Sequence, residues 1–182
     1  LNLIKYAEIN KVEQFIFAST EWVYDFTNEN KIQKENGSKN INNINSEYAL
    51  SKIISENNLR QHYQNNKRMN FTLLRFGIIY GNRDNNWSAV ESLFMKVKRK
   101  EIINIGSLKT SRQFIHVDDI SKGIIQSFNL KGFNVINLQG NKLISLKQIL
   151  VTSMKITGNK VLIKETNNLK PSIRKVANLK AK

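Results

Sequence analysis

The amino-acid sequence predicts an α/β fold built on parallel strands. Three observations predict it. Short, continuous apolar runs such as Phe15-Ile16-Phe17-Ala18 and Phe71-Thr72-Leu73-Leu74 look like strands buried on both faces. Segments with helical spacing of apolar residues alternate with those runs. The 182 residues, 40% of them hydrophobic, suffice for one domain or for one domain plus a small lobe.

The elements follow in order. Residues 2–11 read as the end of an amphipathic helix, with Leu3, Ile4, Ala7 and Ile9 apolar. The strand Phe15–Ala18 comes next, then a polar stretch, 25–46, that reads as a surface loop. Ser46 can cap a helix running to about Tyr63, with Ala49, Leu50, Ile53, Ile54 and Leu59 as apolar positions. Phe71–Phe76 is a second buried strand ending near Gly77, and Gly81–Asn86 is a loop. Residues 88–99 form a helix, Ile102–Ile105 and Arg112–Val117 strands, and Asp118 or Asp119 caps a helix through about Phe128. A strand at Asn134–Leu138, a helix at 145–156 and a strand at Val161–Lys164 complete the series, before a basic tail after Pro171. From residue 82 onward the elements are shorter and mixed, as in a smaller lobe built onto the sheet.

Composition narrows the function classes. The chain has no Cys and only two His, His62 and His116, so thiolate metal sites and a self-sufficient zinc site are excluded. No apolar run approaches the roughly 20 residues of a membrane-spanning helix, and Leu1–Lys5 has no signal-peptide pattern. The net charge of +15 invites a nucleic-acid reading. The lysines, however, are spread along the whole chain among many Asn and Ile residues. A basic nucleic-acid-binding module is therefore the alternative of a different class, and salt-steep binding to mixed-sequence DNA would mark it. Otherwise the charge would help attract anionic substrates.

Four segments carry chemistry. Phe15–Tyr24 runs from a buried strand into Ser19 and Thr20, and ligands in open α/β sheets bind outside the carboxyl ends of strands. Tyr48-Ala49-Leu50-Ser51-Lys52 puts a phenol and an ammonium on one helical face. At about 4 Å and an effective dielectric near 20 their attraction is about 4 kcal/mol, roughly three pK units at most, enough to make Tyr a usable base. Tyr63 and Lys67 repeat the spacing, but at the helix end rather than after the polar loop. Leu73–Arg83 is again a strand running into a Gly-punctuated loop. In Arg112–Asp119, Arg112 can fork onto a phosphate, while His116, among apolar neighbours, reads as structural.

The succession of these motifs, ending in Leu-Arg-Phe-Gly-Ile-Ile-Tyr-Gly-Asn-Arg and Arg-Gln-Phe-Ile-His-Val-Asp-Asp, resembles the extended short-chain dehydrogenase/reductase family. Its nucleotide-sugar epimerases and dehydratases are the most similar branch. The resemblance implies part of a doubly wound, Rossmann-type parallel sheet over residues 1–81. A small α/β substrate lobe over 82–182 would follow, with 112–128 returning to the sheet domain and Asn134–Leu138 serving as a lobe strand. It implies a catalytic set of Thr20, Tyr48 and Lys52, with Tyr48, Lys52, Phe76 and Gly77 lining NAD, and Thr20 and Arg112 holding a nucleotide-diphosphate sugar. The choice between NAD and NADP is left open by the residues. The implied activity is epimerisation by transient hydride transfer, with reduction, dehydration or decarboxylation of a similar substrate as alternatives. A cytoplasmic homodimer is the implied setting. The departures are specific. No Gly-rich phosphate-cradling turn is present, so the chain reads as an N-terminally truncated family member, inactive alone. Ile78 stands where epimerases acting on UDP-galactose have Asn. Glu21-Trp22 stands where sugar dehydratases have Asp-Glu, and Asp25 replaces a Gly.

Overall fold

A computed structural model describes residues 2–26, 31–37, 41, 46–85, 87–178 and 180. Three parallel strands form its main sheet: β1 (Gln14–Thr20), β3 (Asn70–Phe76) and β7 (Phe133–Leu138), in the order β1-β3-β7. The strand side chains alternate between two apolar layers, as a sheet covered on both faces requires. On one face Phe71, Leu73 and Val135 pack with Ile4 and Ala7 of α1 (Asn2–Ile9) and Leu59 of α2 (Glu47–Asn65). On the other, Leu74 and Leu138 pack with Ile120 of α4 (Val117–Gln126). This is the expected doubly wound arrangement.

The rest of the chain builds outward from the sheet's carboxyl end. A single residue, Gly77, separates β3 from β4 (Ile78–Tyr80), which pairs in parallel with β6 (Ser111–His116). Antiparallel β8 (Leu143–Ser145) closes that second sheet. A smaller core gathers Leu93 and Val97 of α3 (Ala89–Lys98), Ile149 and Leu150 of α5 (Leu146–Thr157), and Ile103 of β5 (Ile103–Ile105). β5 pairs in parallel with β9 (Ile163–Glu165), and β2 (Ile32–Gln33) with β10 (Lys175–Val176).

The caps follow local chemistry. Ser46 Oγ accepts from Ala49 N at 3.3 Å and starts α2, as its sequence predicts. The start of α4 differs from expectation. Neither Asp118 nor Asp119 is its cap; His116 is, its Nδ1 accepting from Asp118 N at 3.3 Å. The Asp residues occupy the first turn instead, where the helix dipole favours negative charge. A second correction concerns Asn134–Leu138. Expected as a lobe strand, it is β7, the edge of the main sheet, because Phe133 and Val135 pack on the Phe71 layer. The expected loop 25–46 contains β2, and its residues 27–30, 38–40 and 42–45 lie outside the described residues. Among the described residues no helix is long and apolar enough to cross a membrane.

Candidate active site

At the carboxyl end of β1 the chain turns sharply. Thr20 is extended, and its Oγ1 accepts from Trp22 N at 3.3 Å, capping one turn of 3-10 helix, Glu21–Val23. The start of α2 comes to the same place. Tyr48, in its first turn, is 53% exposed. One turn on, Lys52 donates from Nζ to Ala18 O at 2.9 Å, two residues before Thr20. The Lys52 ammonium lies 5.0 Å from the centre of the Phe17 ring and 5.6 Å from that of Tyr48. Trp22 stands edge-on to Tyr48 at 6.4 Å. Tyr48 and Lys52 therefore sit together, and Tyr48 meets the Thr20 segment through Trp22. Tyr63 is elsewhere, packed against Phe71 and Phe133 in the core.

Phe76 is the register partner of Thr20 on the neighbouring strand. Gly77 follows, and a Cβ there would lie 2.1 Å from the end of the Gln139 side chain, which would have to shift. With its amide oriented to satisfy both ends, Gln139 donates to Glu21 Oε2 at 3.0 Å and accepts from Gly77 N at 3.1 Å. Arg112, the second residue of β6, has its fork held by the C-terminal segment and the neighbouring backbone. Nη1 donates to Ser111 O at 2.8 Å and Ser172 O at 2.6 Å, and Nη2 to Ser172 Oγ at 3.1 Å.

The structure adds polar residues absent from the sequence-based set. Glu21, next to Thr20, is buried at 2% exposure. Burial pushes its carboxyl up to about 7, against the pull of the Arg174 and Arg112 charges. The Arg174 guanidinium lies 5.3 Å from the Trp22 ring centre and 5.0 Å from that of Phe26. Beneath these, Glu56 of α2 and Arg75 of β3 form a pair in which each side chain is 1% exposed. Arg75 donates from Nε to Glu56 Oε1 at 2.9 Å and from Nη2 to Oε2 at 2.6 Å. Burial opposes the Arg75 charge, but Glu56 and the Tyr24 hydroxyl outweigh it and hold the guanidinium protonated. One signal pointed here: Arg75 interrupts an otherwise apolar strand, and a buried cation demands a buried partner. Among the described residues no group of three or more His, Asp or Glu could hold a metal ion.

A doubly wound parallel sheet with polar side chains gathered at its carboxyl end belongs to the class of α/β folds whose ligands bind at that end. The chain belongs to the NAD-dependent epimerase/dehydratase family, whose model matches residues 1–138. Solved structures agree in fold. The UDP-glucose 4-epimerase of Thermotoga maritima, with UDP-glucose, is 20% identical with a TM-score of 0.84, over 98% of this chain and 59% of that one. That of Thermus thermophilus, with NAD, is 20% identical with a TM-score of 0.82, over 99% of this chain and 60% of that one. The UDP-glucuronic acid 4-epimerase of Bacillus cereus, with NAD, is 25% identical with a TM-score of 0.80, over 98% of this chain and 57% of that one. The chain thus spans about three fifths of the length of these relatives. No curated protein sequence matches it significantly.

Proposed function

We propose that this chain is the substrate-proximal part of an NAD-dependent nucleotide-sugar epimerase. The observation that carries the reading is the pair Tyr48 and Lys52 at the start of α2, with Lys52 fastened to β1 two residues before Thr20. In this reading residues 1–81, joined by residues 112–128 and by β7, belong to the cofactor-binding portion, and the others from 82 mainly to the substrate-binding portion.

The side chains suit a nicotinamide riboside. Lys52 uses one N–H on Ala18 O and has two more for ribose hydroxyls. Bound NAD supplies a hydride acceptor that takes hydride from a sugar carbon and returns it. The residues handle the proton. Thr20 donates a hydrogen bond to the sugar oxygen and orients it. Tyr48, beside the Lys52 ammonium, removes the hydroxyl proton as hydride leaves the same carbon. On the return step Tyr48 gives the proton back, on a sugar whose other face has turned toward the cofactor. Phe76 and Gly77 line the cofactor side, and Arg112 neutralises the diphosphate from the far side. As a homodimer, the complete protein would cover the exposed apolar residues Leu3, Tyr6 and Ile9 of α1.

Dehydration of a similar substrate is the alternative that the family also encompasses. The products separate the two. The complete protein, incubated with NAD and UDP-glucose or UDP-glucuronic acid and followed by NMR, is expected to yield the 4-epimer at equilibrium with its substrate. A 4-keto-6-deoxy product would establish dehydration instead. Reduced cofactor accumulating with an oxidised sugar would overturn both.

A further inference from the structure

Glu56 lies two helical turns beyond Tyr48 on α2, and its bond to Ser19 ties it to the strand that carries Thr20. We propose that Glu56 is a positioning residue for the proton-transfer pair, acting through Ser19; this rests on the functional reading above.

Tyr48, Lys52 and Glu56 recur every four residues, so they share one face of α2 over about 12 Å at 1.5 Å per residue. Two of them hold β1 at consecutive residues. Lys52 bonds Ala18 O at 2.9 Å, and Glu56 Oε1 accepts from Ser19 Oγ at 2.6 Å. Thr20 comes next. One attachment would leave the helix free to pivot about it. Two attachments a turn apart set both its rotation and its sliding against the strand end, and so the placement of Tyr48 relative to Thr20.

The Glu56 carboxylate is itself held at both oxygens by Arg75, at 2.9 and 2.6 Å. Arg75 Nη1 also donates to the Tyr24 hydroxyl at 2.8 Å, and that hydroxyl donates to Asn137 Oδ1 at 2.7 Å. Ser19, Arg75 and Asn137 are lateral partners on three adjacent strands. One buried chain of bonds therefore spans the sheet one residue below the row of Thr20, Phe76 and Leu138. Stability alone does not call for such a network, because a buried ion pair adds little over well-packed apolar residues. What apolar residues cannot supply is direction, and proton transfer needs it: a misplacement of about 1 Å can cost about a hundredfold in rate.

Removing Glu56 would leave Arg75 buried without its counter-charge. Ser19→Ala avoids this, because it deletes only the hydroxyl and leaves the Glu56–Arg75 pair intact. In the complete, NAD-loaded protein assayed with UDP-glucose and UDP-glucuronic acid, Ser19→Ala is expected to lower kcat by about tenfold or more, with KM within about twofold. Ser19→Thr, which restores a hydroxyl on a strand-compatible residue, is expected to recover kcat to within about twofold of the parent. Full kcat in Ser19→Ala, or equal loss in both variants, would overturn the proposal. Tyr48→Phe run alongside tells the failures apart. Turnover surviving in it overturns the functional reading, whereas its loss there with full turnover in Ser19→Ala overturns this inference alone.

Discussion

Replacing Glu21 by Gln should flatten the pH dependence of stability between about pH 4.5 and 7. In the folded chain the Glu21 carboxyl titrates near 7 rather than 4.5, first because burial strips its water, with the Arg174 and Arg112 charges opposing. At about 1.4 kcal/mol per unit, that rise corresponds to about 3 kcal/mol. The sign follows from proton counting. Between the two values the folded chain keeps a proton that the unfolded chain has lost, so stability falls as pH rises through this window. The contribution is complete below about 4.5 and gone above about 7. The amide introduced by Glu21→Gln cannot ionise and keeps nearly the same shape. Urea unfolding of parent and variant across pH 4.5–8 isolates the group, since all other titrations cancel in the difference. The difference in unfolding free energy should move by about 3 kcal/mol in favour of the variant as pH rises. A difference independent of pH would refute the assignment of a buried, proton-holding carboxyl.

Other perturbations read other parts of the structure. Gly140→Ala puts a Cβ 2.0 Å from the Phe114 carbonyl oxygen, so backbone must shift; thermal unfolding should show a loss of about 1–3 kcal/mol, and unchanged stability would contradict the close approach. Arg112→Lys keeps the charge but loses the fork, so in the complete protein KM for a UDP-sugar should rise more than kcat falls; an unchanged KM would remove Arg112 from the substrate. These 182 residues contain no glycine cluster to cradle a pyrophosphate, so calorimetry of the chain alone should show no saturable NAD binding at micromolar cofactor; a micromolar dissociation constant would contradict this.

Much of the fold is legible because its signals are local. Ser46 before an amphipathic run announces α2, and the apolar runs through Phe17 and Leu73 announce β1 and β3. Tyr48 and Lys52 could be found for the same reason, since one helical turn brings them together. The illegible parts depend on distant partners. β2 and β10 are two residues each and exist only because Ile32–Gln33 meets Lys175–Val176. β7 could be recognised as a strand, but not as the sheet edge, because apolar alternation does not name the neighbouring strand. His116 displaced Asp118 as the α4 cap through a ring nitrogen, a donor–acceptor choice that residue preferences do not resolve. Glu21 and Glu56 look like surface residues in sequence. Their burial follows from Gln139, Ser19 and Arg75, which chain folding brings to them.

The central claim is that Tyr48 moves the proton. Tyr48 and Tyr63 each have Lys four residues on, but only Tyr48 stands beside Lys52 at the strand end. Tyr63 packs against Phe71 and Phe133. Turnover of a UDP-sugar by the complete protein, measured for Tyr48→Phe and Tyr63→Phe, separates them. The account predicts a loss of about two to four powers of ten for Tyr48→Phe, the usual range for a positioned acid–base group. It predicts a change within about twofold for Tyr63→Phe, which keeps the ring and its packing. Equal activity in the two variants, or loss only in Tyr63→Phe, would contradict it.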